Sequence, residues 1–143
     1  MKDDDRLIYL IFMTQQKLKA SINSTLISEG IKVTLGQAGL LFLLRRDDGR
    51  TMTELSKALA VKNATLTGLV DRLERSAFVM RRASKDDRRS IRIYITPVGI
   101  EECDKAKPVI KRVNQEIKSG FSQEEIDVFK RVLNGVFQKF NSS

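Results

Sequence analysis

The chain has 143 residues, 41% hydrophobic and 31% charged, with 26 Lys and Arg against 18 Asp and Glu, a net charge of +8. That length suits one domain, or a small domain carrying oligomerisation helices, and the apolar content excludes a disordered chain. With no histidine and a single cysteine, Cys103, there is no candidate general base of the commonest kind, no imidazole or thiolate metal site and no intrachain disulfide, so an enzyme and a zinc module are both disfavoured and no cofactor is expected.

The acidic start, Asp3 to Asp5, lacks the positive region of a signal peptide, and no apolar stretch approaches the roughly 20 residues that span a bilayer. A cytoplasmic chain without a membrane segment is the expectation. The basic excess points to a polyanionic partner, because neutralising phosphates releases condensed counterions.

A first helix is expected over residues 6–28, with Leu7, Leu10, Ile11, Leu18, Ile22 and Leu26 on one face and Glu29-Gly30 ending it. Thr34 and Gln37 read as a capping box for a second helix through Leu40, Leu41 and Leu44, and Asp47-Asp48-Gly49 as a turn. Thr51 and Glu54 repeat the box for a third helix with Leu55, Ala58 and Leu59 inside. A four-residue gap, Ala60 to Asn63, leads to a fourth helix capped by Asn63, with Leu66, Leu69, Val70 and Leu73 buried. Two short helices joined in this way form a helix-turn-helix.

The periodicity then changes. Ile91, Ile93 and Ile95 alternate with Arg92 and Tyr94, which argues for a strand, with Phe78-Val79-Met80 as its partner and a charged loop, Arg81 to Ser90, between them. A hairpin after a helix-turn-helix is a wing. Thr96-Pro97 opens a fifth helix that Pro108 should kink or divide and Gly120 closes. Ser122 with Glu125 caps a sixth, whose Ile126, Phe129, Val132, Leu133, Val136, Phe137 and Phe140 form a wide apolar stripe. The expected fold is therefore mainly α with a small β-hairpin wing. Residues 34–95 form a winged helix-turn-helix, and residues 6–29 and 97–140 are helices that bury one another across a two-fold homodimer interface. A monomeric helical bundle is the alternative.

In a helix-turn-helix the second helix enters the major groove, and its first residues meet base edges. Burying the apolar positions of the fourth helix turns Ala64, Thr65, Thr67, Gly68, Asp71, Arg72 and Arg75 outward. Arg72 can grip guanine or a phosphate, and Thr65 and Thr67 can bond bases or touch a thymine methyl. Gly68 in mid-helix costs about 1 kcal/mol relative to Ala, tolerable if a phosphate or backbone must approach there. Asn63 and Arg75 complete the candidates on this helix, and a plain solvated face is the alternative. From Thr51 to Ile95 ten basic residues face five acidic ones, so this segment carries +5 of the total +8. Lys85, Arg88 and Arg89 at the hairpin tip suit a narrow minor groove, with Asp87 holding an arginine in place; a charged surface loop is the competing reading.

The run Thr51-Met-Thr-Glu-Leu-Ser-Lys-Ala-Leu-Ala-Val, with Ala64-Thr-Leu-Thr-Gly-Leu-Val-Asp-Arg-Leu-Glu74, resembles the helix-turn-helix of the MarR (multiple antibiotic resistance) regulators. Asp87-Arg88-Arg89 resembles that family's Asp-x-Arg wing motif, and Ile95-Thr96-Pro97-Val98-Gly99 the Leu-Thr-x-x-Gly start of its fifth helix. The resemblance covers nearly the whole chain. It implies a homodimer joined by the first, fifth and sixth helices, reading a pseudo-palindromic operator in double-stranded DNA. Arg89 is by this match the minor-groove residue and Asp87 its partner. It further implies a repressor released by a small, often aromatic or phenolic, effector bound between the dimer and DNA-binding regions. Effector residues are not assignable; Lys17, Arg45 and Arg46 are weak suggestions, with surface charge the plainer reading. A protein-interaction winged helix with incidental DNA affinity is the alternative function.

Two positions set this chain apart. Ala77 stands where relatives commonly have Gly, so the turn into the wing is expected to be strained or altered. Cys103 is a candidate peroxide sensor, but hydroperoxide-sensing relatives carry their cysteine in the first helix, where this chain has Phe12 and Met13. Carboxylates flank Cys103 and disfavour a thiolate, so a packed residue is expected.

Overall fold

The computed structural model describes residues 6–87 and 89–141. Along them run α1 (Leu7–Ser28), α2 (Leu35–Arg46), β1 (Arg50–Thr51), α3 (Met52–Leu59), α4 (Asn63–Arg75), β2 (Val79–Ala83), β3 (Ile91–Ile95), α5 (Pro97–Lys118) and α6 (Gln123–Phe140). The local signals explain most of these boundaries. Thr34 and Gln37 make a reciprocal capping box at α2, as Ser122 and Glu125 do at α6, each satisfying backbone N–H groups that a helix start leaves unpaired. Thr51 accepts the Glu54 N–H and so caps α3.

The chain divides into two units, Met1–Val109 and Ile110–Ser143. In the first, α2, α3 and α4 pack on one another and on a three-stranded antiparallel sheet of order β1-β3-β2. Leu40, Leu41, Leu44, Leu55, Leu66, Val70, Leu73 and Ile93 are all within 1% of full burial. Leu26 and Ile22 of α1 and Cys103, Ala106 and Val109 of α5 are also buried. Two polar ties secure the loop after α1: Asn23 accepts the Leu35 N–H at 2.8 Å, and the buried Glu102 carboxylate accepts the Lys32 N–H at 3.1 Å. The second unit holds the end of α5, the turn at Gly120 and α6, with Val113 and Ile126 buried.

Several sequence expectations change. α4 starts at Asn63 with Lys62 as N-cap, so Asn63 is its first helical residue rather than the cap, and the gap is Ala60 to Lys62. Leu69 is half-buried rather than inside. β2 starts at Val79 rather than Phe78 and runs on to Ala83, pairing Val79 with Ile95 and Ala83 with Ile91, so the connecting loop is shorter than Arg81 to Ser90. β1 is an addition: Arg50 and Thr51 pair with Ile93 and Arg92 beyond the Asp47-Asp48-Gly49 turn. α5 stays undivided through Pro108.

Among the described residues no helix is long and apolar enough to cross a membrane. The apolar faces of the end helices are uneven. α1 buries Ile22 and Leu26 but exposes every residue from Leu7 to Met13, and on α6 Phe129, Val132, Leu133, Phe137 and Phe140 are all exposed.

Candidate nucleic-acid interface

The burial pattern of α4 follows from its sequence. Leu66, Val70 and Leu73 are spaced to share one helical face and go to the core, which leaves Asn63, Thr65, Thr67, Arg72 and Arg75 exposed on the rest of the surface. No side chain caps its start, so the first-turn N–H groups remain open to an anion. Thr67 donates its hydroxyl to the Asn63 carbonyl at 2.9 Å. Its oxygen can still accept, and the residue is exposed. Gly68 is half-buried, yet a Cβ built there would meet nothing within 4 Å. No packing within the chain demands a glycine at this point.

The wing loop is shaped by the backbone bonds it makes. Ser84 N–H donates to the Ser90 carbonyl at 2.7 Å, closing the loop at its base. At the tip the Asp87 carboxylate accepts the Arg89 N–H at 3.0 Å, and the Asp87 carbonyl accepts from Ser90 N–H. Asp87 therefore fixes the backbone that carries Arg89, through an Asx turn. Lys85, Asp87 and Arg89 are exposed. Arg88, also a candidate from the sequence, lies outside the described residues.

A helix-to-wing joint holds the two surfaces together. Ala77 takes φ +62°, the left-handed conformation a glycine there would adopt, so the turn keeps that form at a cost in strain. The Thr96 hydroxyl donates to the Ala77 carbonyl at 2.6 Å and accepts the Gly99 N–H at 3.0 Å, while Thr96 N–H donates to the Phe78 carbonyl. A Cβ on Gly99 would stand 2.1 Å from the Phe78 oxygen. The Thr-x-x-Gly sequence thus has a direct physical meaning: Thr pins the turn, and Gly lets the α5 backbone touch it.

Sequence reasoning missed one feature of this joint. Arg81 on β2 donates to the Asp71 carboxylate and to the Glu74 carboxylate, both at 2.6 Å. Its hydrogen bond to Asp71 raises a guanidinium pKa that burial alone would lower. Asp71, expected on the outward face, is consequently half-buried and paired. The signal was present as a carboxylate pair at i and i+3 followed by a basic residue on the next strand, but only the turn geometry says which arginine it meets. Elsewhere on the wing, Arg82 lies over the Tyr94 ring at 5.8 Å, and Arg92 donates to the Gly49 carbonyl at 2.8 Å.

The remaining candidates carry less. Arg45 and Arg46 are exposed, as is Lys17, and Arg45 stands 3.8 Å from Asp104 of α5. Cys103 is buried; burial first, then Asp104, pushes its thiol pKa up, which disfavours the reactive thiolate. Among the described residues no group of three His, Cys, Asp or Glu could hold a metal ion.

Comparison with known proteins agrees with this architecture. The MarR family model matches residues 33–91. The HTH-type transcriptional repressor YetL of Bacillus subtilis is 33% identical over 108 residues, which are 74% of this chain and 65% of YetL. The chain therefore spans somewhat less than two thirds of that curated relative. The crystal structure of a mutant MarR from Escherichia coli complexed with operator DNA superposes with a TM-score of 0.84 at 26% identity, covering 92% of this chain and 94% of that one. The Staphylococcus aureus MepR–DNA complex gives 0.86 at 26% identity, over 94% and 98%. By family model, sequence relatives and fold alike, the chain is similar to regulators of the MarR family.

Proposed function

We propose that the chain is a sequence-specific regulator, a repressor, that binds double-stranded DNA as a homodimer. The observation that carries this reading is the exposed face of α4, where Thr65, Thr67 and Arg72 surround a glycine with open space above it. A groove-reading helix needs polar side chains that reach bases and a place where the DNA backbone can come close. Asn63, Arg75 and the wing residues Lys85, Arg88 and Arg89 supply phosphate and minor-groove contacts, with Asp87 holding the loop. The DNA complexes of E. coli MarR and S. aureus MepR and the repressor role in YetL's name support the same reading.

The division of labour follows the exposed surfaces. Residues 34–95 bind DNA, and residues 6–29 and 97–140 make the dimer. Patches as large as Leu7–Met13 and the α6 stripe are rarely left open to water, and a two-fold axis covers each with its own copy. Release by a small molecule rests on the family resemblance. With a duplex-DNA target, the proposed location is the cytoplasm.

Fluorescence anisotropy with duplexes tiled across the chain's own upstream region, against scrambled controls at several salt concentrations, tests the proposal. Preference for one palindromic tile of about 10³ or more is expected. Arg89→Ala should weaken binding to that tile about tenfold or more. Equal, steeply salt-dependent binding to every tile would mean that charge alone is read, and would favour a protein-docking role. The same assay, with small aromatic anions added, tests release.

A further inference from the structure

Asp71 and Glu74 lie on α4, one and two turns past Thr67 and Gly68. Bare carboxylates there would repel the phosphates that Arg72 and Arg75 are placed to attract. Arg81 meets both, with one guanidinium nitrogen on each carboxylate at 2.6 Å. It shares a face of β2 with buried Val79, and its register partner is buried Ile93, so its stem starts from the packed side of the sheet. A lysine could not span two carboxylates with the same fixed fork.

We infer that Arg81 is a positioning residue for DNA recognition: its fork pairs with both carboxylates of the recognition helix, offsets one of their two negative charges and locks the wing to that helix. Phosphates then meet the cations of α4 and the wing loop, held at one fixed spacing. This inference rests on the DNA-binding reading above. It makes two separable contributions, one of charge and one of geometry. The first concerns affinity for any duplex, and the second concerns preference for one.

The test uses the whole 143-residue chain, the preferred tile, a scrambled duplex, several salt concentrations and a thermal melt for each variant. Arg81→Ala should raise Kd on the preferred duplex about tenfold or more, since two carboxylates are uncovered as one cation is lost. Adding Asp71→Asn and Glu74→Gln to it should restore affinity for the scrambled duplex but not sequence preference. Asp71→Asn with Glu74→Gln alone should bind scrambled DNA more tightly, with a salt slope steeper by about 1 as the freed Arg81 finds a phosphate. Arg81→Lys should recover part of the affinity and little of the preference. Wild-type Kd in Arg81→Ala, or a triple variant no better on scrambled DNA than Arg81→Ala, would overturn the inference. If Arg81→Ala melts too low to assay, the double variant decides: unchanged scrambled affinity and slope would overturn it. Loss of the inference with wild-type preference intact would leave the DNA reading standing, whereas a wild type that prefers no duplex would remove both.

Discussion

The winged core and the stripe on α6 are built from the same kinds of side chain and meet opposite fates. Leu55, Leu66, Leu73 and Ile93 are closed off from water by other parts of their own unit, whereas Phe129, Val132, Leu133 and Phe137 on α6 are each 41–52% exposed. Apolar side chains with equal claims to burial differ only in whether the chain itself supplies a cover. The first region is complete in one chain. The second has the composition of a core and the exposure of a surface, which is how half of an obligate interface looks.

The largest effect should come from attacking the closed region. Leu66→Ala removes a fully buried side chain, and denaturant melts should show a loss of about 2–5 kcal/mol. Phe129→Ala at concentrations where the chain is monomeric should cost under about 0.5 kcal/mol, as surface substitutions do. A comparable loss at both sites would break the comparison.

Next in size is assembly. Phe129→Glu combined with Leu133→Glu places two charges in the proposed interface, where unpaired burial is strongly unfavourable. Sedimentation velocity should show monomers with helix content retained, and operator affinity should fall with the dimer. A double variant that sediments like the wild type would show that the α6 stripe is not the dimer seam.

Smaller effects separate folding from recognition. Gly68→Ala should raise stability by about 1 kcal/mol, because alanine favours the helix and no neighbour obstructs its methyl group. The same change should weaken operator binding, since the methyl occupies the space offered to DNA. Tighter folding with unchanged binding would show that nothing approaches Gly68. Smallest is Ala77→Gly, which should add at most about 1 kcal/mol by relieving the φ of +62°, offset in part by the greater freedom of glycine in the unfolded chain. Thermal melts of the two variants sharpen the contrast between a helix that keeps its glycine for a partner and a turn that does without one.

Most of the fold was legible because its signals are local. Capping boxes at Thr34 and Ser122, the i, i+3, i+4 spacing of Leu66, Leu69 and Val70, and the alternation of Ile91, Ile93 and Ile95 each act within a few residues. What was missed is non-local. β1 exists because Arg50 and Thr51 meet β3 some 40 residues later, where Asp48 also accepts the Ile95 N–H. The Arg81 fork depends on the turn that swings β2 back along α4. The α4 cap was misplaced by one residue since Asn63, although a good capping residue, follows Lys62, whose extended backbone already starts the helix. On α4, residue types and helix period placed Thr65, Thr67, Arg72 and Arg75 on the outward side, where they are exposed, but only the structure shows that Asp71 pairs with Arg81.

The central claim is that two copies of this chain, joined through α1, α5 and α6, read two half-sites together. Native mass spectrometry of the wild-type protein on its preferred duplex, paired with a hydroxyl-radical footprint, addresses it most directly. Two protomers per duplex, with two protected half-sites centred roughly 34–36 Å apart, is the predicted result. One protomer per duplex, or a footprint with no two-fold spacing, would contradict it.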